Sequence, residues 1–155
     1  MKKICLFFSI ALFSISCFAQ VSFKTGDVEF DVNLKDMNVK AKANLPFFKK
    51  EISLNYNIAE GKIDQLMITN GMEPADVFMA AEVAKKTSRP IDEVVKSYEV
   101  NKDKGWGVIA KEMGIKPGSP EFHALKDSAK GKNDKMKNKN KDKGKGKGKG
   151  KGKKK

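Results

Sequence analysis

Residues 105–126 read GWGVIAKEMGIKPGSPEFHALK and contain the only Trp (Trp106) and the only His (His123) of the 155-residue chain. Trp106, Ile109, Ala110 and Met113 fall at i, i+3, i+4 and i+7, which places them on one apolar stripe of an α-helix. Gly114 stands where a helix commonly ends in a left-handed residue. Lys116-Pro117-Gly118 then forbids continuation, because proline lacks the N–H and disfavours a helical residue before it. Ser119-Pro120-Glu121 restarts a helix: serine caps free N–H groups, proline suits the first position, and glutamate suits the positive end of the dipole. Phe122 and Leu125 are the expected buried residues of that second helix. Two helices joined by a tight turn make the chain a mainly helical one.

Working outward, Pro74 opens a helix with Asp76 in its first turn, and Val77, Phe78, Ala81 and Ala84 form its inner face. Thr87-Ser88-Arg89-Pro90 breaks the chain and starts another. There Ile91, Val94, Val95 and Tyr98 make the cleanest stripe in the sequence. Before Pro74, Asn57 and Glu60 are spaced like a capping box, with Ile63, Leu66 and Met67 as the apolar face and Asn70-Gly71 as the stop. Further upstream the period changes. Val28, Phe30, Val32 and Leu34 alternate with polar residues, and Lys35-Asp36 can turn the chain. Met37, Val39, Ala41, Ala43 and Leu45 alternate again, as do Ile52, Leu54, Tyr56 and Ile58. Period-two alternation predicts half-buried strands, although Ala41–Ala43 and Lys49–Glu51 have little strand preference. The expected fold is mainly α: a small bundle of four or five short helices, an N-terminal antiparallel β meander of two or three strands, and a disordered C-terminal tail.

The N-terminus reads as an export signal. Met1-Lys2-Lys3 is basic, Ile4–Ile15 is apolar, and Cys17-Phe18-Ala19 ends in small residues, so cleavage is expected between Ala19 and Gln20. Ser9, Ser14, Ser16 and Gln20 interrupt the apolar run, which disfavours a retained membrane span. A lipid anchor through Cys17 is the alternative, with Ser14 standing where an apolar residue is usual. Both cysteines, Cys5 and Cys17, lie inside the signal. The cleaved protein therefore has no disulfide, no thiolate nucleophile and no cysteine metal site. It is expected to be secreted or periplasmic, with no transmembrane segment after cleavage.

Net charge is +13, and its placement matters more than its sum. Residues 20–128 carry 15 Lys and Arg89 against 17 acidic residues, while residues 129–155 carry 14 Lys against Asp134 and Asp142, a net +12. The expected organisation is a signal over 1–19, an extended or β region over 20–58, a helical domain over 59–128, and a disordered Lys/Gly-rich tail over 129–155.

GWGVIAKEMGIKPGSPEFHALK, together with MEPADVFMAAEVAKKTSRPIDEVVKSY upstream of it, resembles a family of small secreted bacterial proteins. In that family a Gly-Trp-Gly helix precedes a Lys-Pro-Gly-Ser turn and a Phe-His-Ala-Leu-Lys segment. The resemblance covers about Ile63–Lys126 and implies a helical fold and export. It implies no activity, cofactor or catalytic residue.

Trp106, flanked by glycines that let another backbone or a sugar ring approach, is either a core anchor or a ligand-stacking platform. His123 has no second His and no mature Cys beside it, so a metal site would need carboxylates from elsewhere. Acid–base chemistry would need an oriented partner that the sequence does not identify. Lys116–Ser119 lacks the glycine spacing of a phosphate-binding loop and is read as a helix cap. No catalytic residue, metal site or cofactor is assigned.

The tail carries the functional expectation. Lys143–Gly152 is five successive Lys-Gly repeats, followed by Lys153-Lys154-Lys155. Glycine offers nothing to bury and adjacent cations repel, so no packed core forms there. Lys143, Lys145, Lys147, Lys149, Lys151, Lys153, Lys154 and Lys155 are the expected polyanion-binding residues. Dense flexible cations displace counterions from any highly charged anionic polymer, whether extracellular DNA, lipopolysaccharide or an acidic polysaccharide. No tail aromatic or arginine offers base stacking or bidentate reading, so sequence-specific nucleic-acid recognition is not expected. The expectation is an exported non-enzymatic binding protein. The alternatives are an enzyme with a site near Trp106 and His123, or a tail that serves only solubility.

Overall fold

Pro74–Ala84 is apolar apart from Asp76 and Glu82, and a helix apolar on nearly all sides belongs in the middle of a domain. In the computed structural model, which describes residues 23–145, every residue from Pro74 to Ala84 in this helix is buried. The sequence expectation of one inner face (Val77, Phe78, Ala81, Ala84) therefore understates its burial. The remaining helices pack around it: α1 Val28–Ala43, α2 Leu45–Tyr56, α3 Glu60–Ile68, α5 Ile91–Asn101, α6 Trp106–Glu112 and α7 Pro120–Lys145, with Pro74–Thr87 as α4. Helix α4 contacts α1, α2, α3, α5 and α7.

No strand occurs among the described residues, so the N-terminal β meander is overturned. Residues 28–56 form α1 and α2 instead. The physical reason lies in which apolar residues find a partner. In α1, Phe30, Leu34, Met37 and Ala41 are fully buried at helical spacing, while Val28, Val32 and Val39 face solvent at 82%, 54% and 70% exposure. Asp27 caps α1 by accepting from the Phe30 N–H at 2.9 Å. Glu29 and Asp31 sit in its first turn and Lys40 and Lys42 in its last, which matches the helix dipole at both ends. In α2, Phe48 and Ile52 are buried one turn apart, and Leu54 of the expected alternation is 71% exposed. Asn57 is not the start of a capping box. It closes α2 in the left-handed conformation (φ 54°), and Ala59 precedes α3.

The second half follows its sequence signals. Ile63 and Leu66 are buried in α3, and Val94, Val95 and Tyr98 in α5. In α6, Trp106, Ile109 and Ala110 are buried, with Met113 just beyond them. Gly114 follows at φ 101°, where the Ile115 N–H reaches back to the Ala110 carbonyl at 2.8 Å. Ser119 caps α7, its Oγ accepting from the Phe122 N–H at 3.2 Å.

Helix α7 crosses the expected boundary at residue 128. It runs unbroken to Lys145, and its buried stripe is Phe122, Leu125, Ala129, Lys132, Asn133 and Met136. It lies parallel to α1. Phe30 meets Phe122 edge to face at 5.8 Å, Lys126 pairs with Asp27 and Glu29, and Lys40 Nζ donates to Asn133 Oδ1 at 2.7 Å. Among the described residues no helix is long and apolar enough to cross a membrane.

Candidate functional site

The expected polyanion-binding lysines divide at the end of the described chain. Lys143 and Lys145 lie in the last turns of α7, beyond the stripe that ends at Met136. Lys147, Lys149, Lys151, Lys153, Lys154 and Lys155 lie outside the described residues, as do Ala19 and Gln20 of the expected cleavage site. What the structure adds is the root of the basic arm. Helix α7 is anchored in the core through Met136 and then continues to Lys145, with Lys137 and Asn138 exposed.

Not every lysine on α7 is available to an outside partner. Lys126 is held by Asp27 at 2.9 Å and Glu29 at 2.7 Å. Lys132 is 7% exposed and pairs with Glu51 of α2 at 3.3 Å. Burial is the main reason its pKa is lowered, and neighbouring Lys135 lowers it further against the opposing pull of Glu51. By contrast Lys130, Lys135 and Lys137 are exposed. The structural role of Lys132 was missed in the sequence because the whole basic run reads as one solvated tail. The signal that finds it is spacing: Phe122, Leu125, Ala129 and Met136 continue one helical stripe past residue 128, and Lys132 falls on it.

The glycines around Trp106 are explained by the chain's own N-terminal segment. The Trp106 N–H donates to the Phe23 carbonyl at 2.7 Å and the Gly107 N–H to the Lys24 carbonyl at 3.0 Å. A Cβ on Gly105 would come within 2.4 Å of Lys24 Cβ, and one on Gly107 within 2.8 Å of the Thr25 carbonyl oxygen. Gly105 also has φ 91°, which other residues rarely adopt. The approaching backbone is therefore residues 23–25. Trp106 itself is 2% exposed, and its Nε1–H donates to Asp76 Oδ1 at 2.8 Å. That bond uses the only polar atom of the indole.

Asp76 is the polar centre of the domain. Besides Trp106 it receives the Tyr98 hydroxyl at 3.2 Å and the Glu73 N–H at 3.0 Å, both on Oδ2. Burial raises its pKa, and the donors from Trp106, Glu73 and Tyr98 only partly oppose that. The Tyr98 hydroxyl is pushed up by its own burial and by the Asp76 charge. A second buried carboxylate on α4, Glu82, accepts from the Tyr56 hydroxyl at 2.5 Å. No buried side-chain N or O atom among the described residues lacks a hydrogen-bond partner.

His123 is exposed at the start of α7, with its ring edge-on to Phe122 at 6.5 Å. Among the described residues there is no group of three His, Cys, Asp or Glu side chains that could hold a metal ion. Lys116–Ser119 is the turn that caps α7. Compared with known proteins, the chain matches no family model, no curated protein and no solved structure.

Proposed function

We propose that this is an exported, non-enzymatic binding protein in which a helical domain presents a polycationic C-terminal arm to anionic polymers. One observation carries this function: the charge is segregated. Residues 129–155 hold a net +12 beside a nearly neutral domain, and among the described residues Met136 is the last buried one of α7, with Lys137 and Asn138 exposed after it. Neutralising a polyanion with such an arm releases condensed counterions, and the arm offers no group that reads a base. Export rests on the basic start, the apolar run and the Cys17-Phe18-Ala19 ending of the N-terminus.

The test compares the full chain with a deletion of Lys139–Lys155, which leaves the buried part of α7 intact. Both are titrated with labelled duplex DNA and with an acidic polysaccharide at several salt concentrations. The deleted segment holds ten lysines and Asp142. Engaging half of those lysines on duplex DNA gives a slope of about −4.5 in log affinity against log salt. The full chain should bind both polymers at low salt and lose them by a few hundred millimolar, roughly. Equal affinity of the two chains, or binding indifferent to salt, would show that the arm serves solubility and not attachment.

A further inference from the structure

Helices α2 and α4, with the start of α5 on one side and α7 on the other, leave a groove that no sequence motif announces. Its larger half, about 460 Å³, is walled by Leu54, Ile58, Ala81, Ala84 and Ile91, with Lys85 and Arg89 at its edge. Its smaller half, about 220 Å³, is lined by Lys85, Lys132, Lys135, Glu82 and the α7 residues Ser128 and Gly131. Asn55, Tyr56 and Lys85 line both halves, so the two hollows adjoin across a shared wall.

The charges of this groove are unevenly satisfied. Glu82 is occupied by the Tyr56 hydroxyl and by Lys86 at 3.6 Å, Lys132 by Glu51, and Arg89 by Glu93. Lys85 and Lys135 are exposed, and among the described residues neither has a carboxylate within ion-pair distance. Lys85 stands over the Tyr56 ring, 5.4 Å from its centre. The groove therefore offers apolar walls at one end, Lys135 at the other and Lys85 between them, neither lysine having a carboxylate partner among the described residues. Leu54, 71% exposed, extends the apolar wall to the rim.

We propose that this groove binds a single-chain amphipathic anion of the fatty-acid type, with hydrocarbon against Leu54, Ile58 and Ile91 and the carboxylate against Lys85 and Lys135. Size argues for a small molecule, because a 460 Å³ concavity lies in the range of small-ligand sites. Charge argues against a neutral lipid, which would strip water from Lys85 and Lys135 without pairing them. The apolar half argues against a bare inorganic anion, which would leave Leu54 and Ile58 as wet as before. The site is distinct from the basic arm, although Lys132 and Lys135 place both on α7.

The test is calorimetric titration of the full-length protein with dodecanoate below its micelle concentration, in about 300 mM salt so that the arm's contribution is suppressed. Dodecyl maltoside supplies the chain without the charge, and acetate supplies the charge without the chain. Gly131→Phe fills the smaller half: a Cβ there meets nothing within 4 Å, and replacing a helical glycine favours the helix. Lys85→Gln with Lys135→Gln removes the two free cations from exposed positions. Val39→Ser, on the outer face of α1, is the control. Dodecanoate should bind the wild type and the control alike and weaken about tenfold in each groove variant, a change of about 1.4 kcal/mol. Dodecyl maltoside and acetate should both bind more weakly than dodecanoate. No binding to the wild type, equal binding to all variants, or dodecyl maltoside matching dodecanoate would overturn the proposal. Because the arm is intact in every variant, these outcomes are separate from those of the polymer titration.

Discussion

Asp76 sets the behaviour of the domain at the scale of one residue. It is a carboxylate at 2% exposure with three donors converging on it, from Trp106, Tyr98 and the Glu73 backbone. Removing its charge but keeping its shape, Asp76→Asn, turns one oxygen into a donor that must face the Trp106 or Glu73 N–H. The cost of that clash should be about 1–3 kcal/mol. The pH dependence has a definite sign. Burial raises the folded pKa of Asp76 above its ordinary 3.8, so its contribution to stability is full below 3.8 and is lost as pH rises through the raised value. Asp27 behaves oppositely: the Phe30 N–H and Lys126 lower its pKa, so its contribution is present above 3.8 and is lost as pH falls through the lowered value. The stability advantage of wild type over Asp76→Asn, measured by urea unfolding, should therefore shrink as pH rises from 3.8 toward neutrality. An advantage that grows over that range would mean the donors outweigh burial. Asp76 was legible in the sequence only as a first-turn acid of α4. Its side-chain partners lie 22 and 30 residues away, and no local pattern encodes them. The core position of Trp106, by contrast, was one of two readings open in the sequence, because its stripe with Ile109, Ala110 and Met113 is local.

At the scale of elements, α1 shows why the N-terminal half was harder to read. VEFDVNL satisfies two periods at once: Val28, Phe30, Val32 and Leu34 alternate, while Phe30, Leu34, Met37 and Ala41 recur on a helix face. Strand preference among side chains spans only about 1 kcal/mol, less than burying one Phe or Leu, so tertiary burial decides the outcome. The capping signals favoured the helix all along: Asp27 before the run, Glu29 and Asp31 in the first turn, Lys40 and Lys42 in the last. The two arrangements make opposite predictions for one pair of substitutions. On a half-buried strand, Val32 and Leu34 share a face and would be equally sensitive. On α1, Val32 is 54% exposed and Leu34 is fully buried. Val32→Lys should change stability by no more than about 0.5 kcal/mol. Leu34→Ala should cost about 2–5 kcal/mol. Comparable losses in chemical denaturation, with reduced helicity by circular dichroism, would restore the strand. After residue 58 the stripes of α5 and α6 and the start of α7 were legible because each has one unambiguous period and its own punctuation, as in Gly114, Pro117-Gly118 and Ser119.

At the scale of the whole molecule, the boundary between domain and arm falls where packing ends and not where composition changes. Lysine enrichment begins near residue 129, yet Ala129 and Met136 are buried and Lys132 reaches Glu51. Composition alone merged these buried positions with the repeats that follow, because one lysine on a buried stripe looks like any other lysine. Phe23, docked on α6, stands four positions after Ala19, so the expected cleavage at Ala19–Gln20 would leave the docked segment intact. Deleting residues 129–155 removes two buried apolar side chains, the Lys132–Glu51 pair, and the Asn133 acceptor for Lys40. Burying Met136 is worth about 1.5–3 kcal/mol and the Ala129 methyl about 0.8 kcal/mol, against a total stability of about 5–15 kcal/mol. In a domain of this size such a loss should lower the melting temperature by about 10–20 °C. Deleting only Lys139–Lys155 removes none of these contacts and should leave the melting temperature within about 2 °C of the full chain. Parallel thermal melts of the three chains, followed by circular dichroism, decide the point. If the longer deletion melted with the full chain, α7 would not be packed beyond Ser128, and the polycationic arm would begin there. If the shorter deletion melted well below it, the arm itself would contribute to the fold, and its loss could not be used to isolate polymer binding.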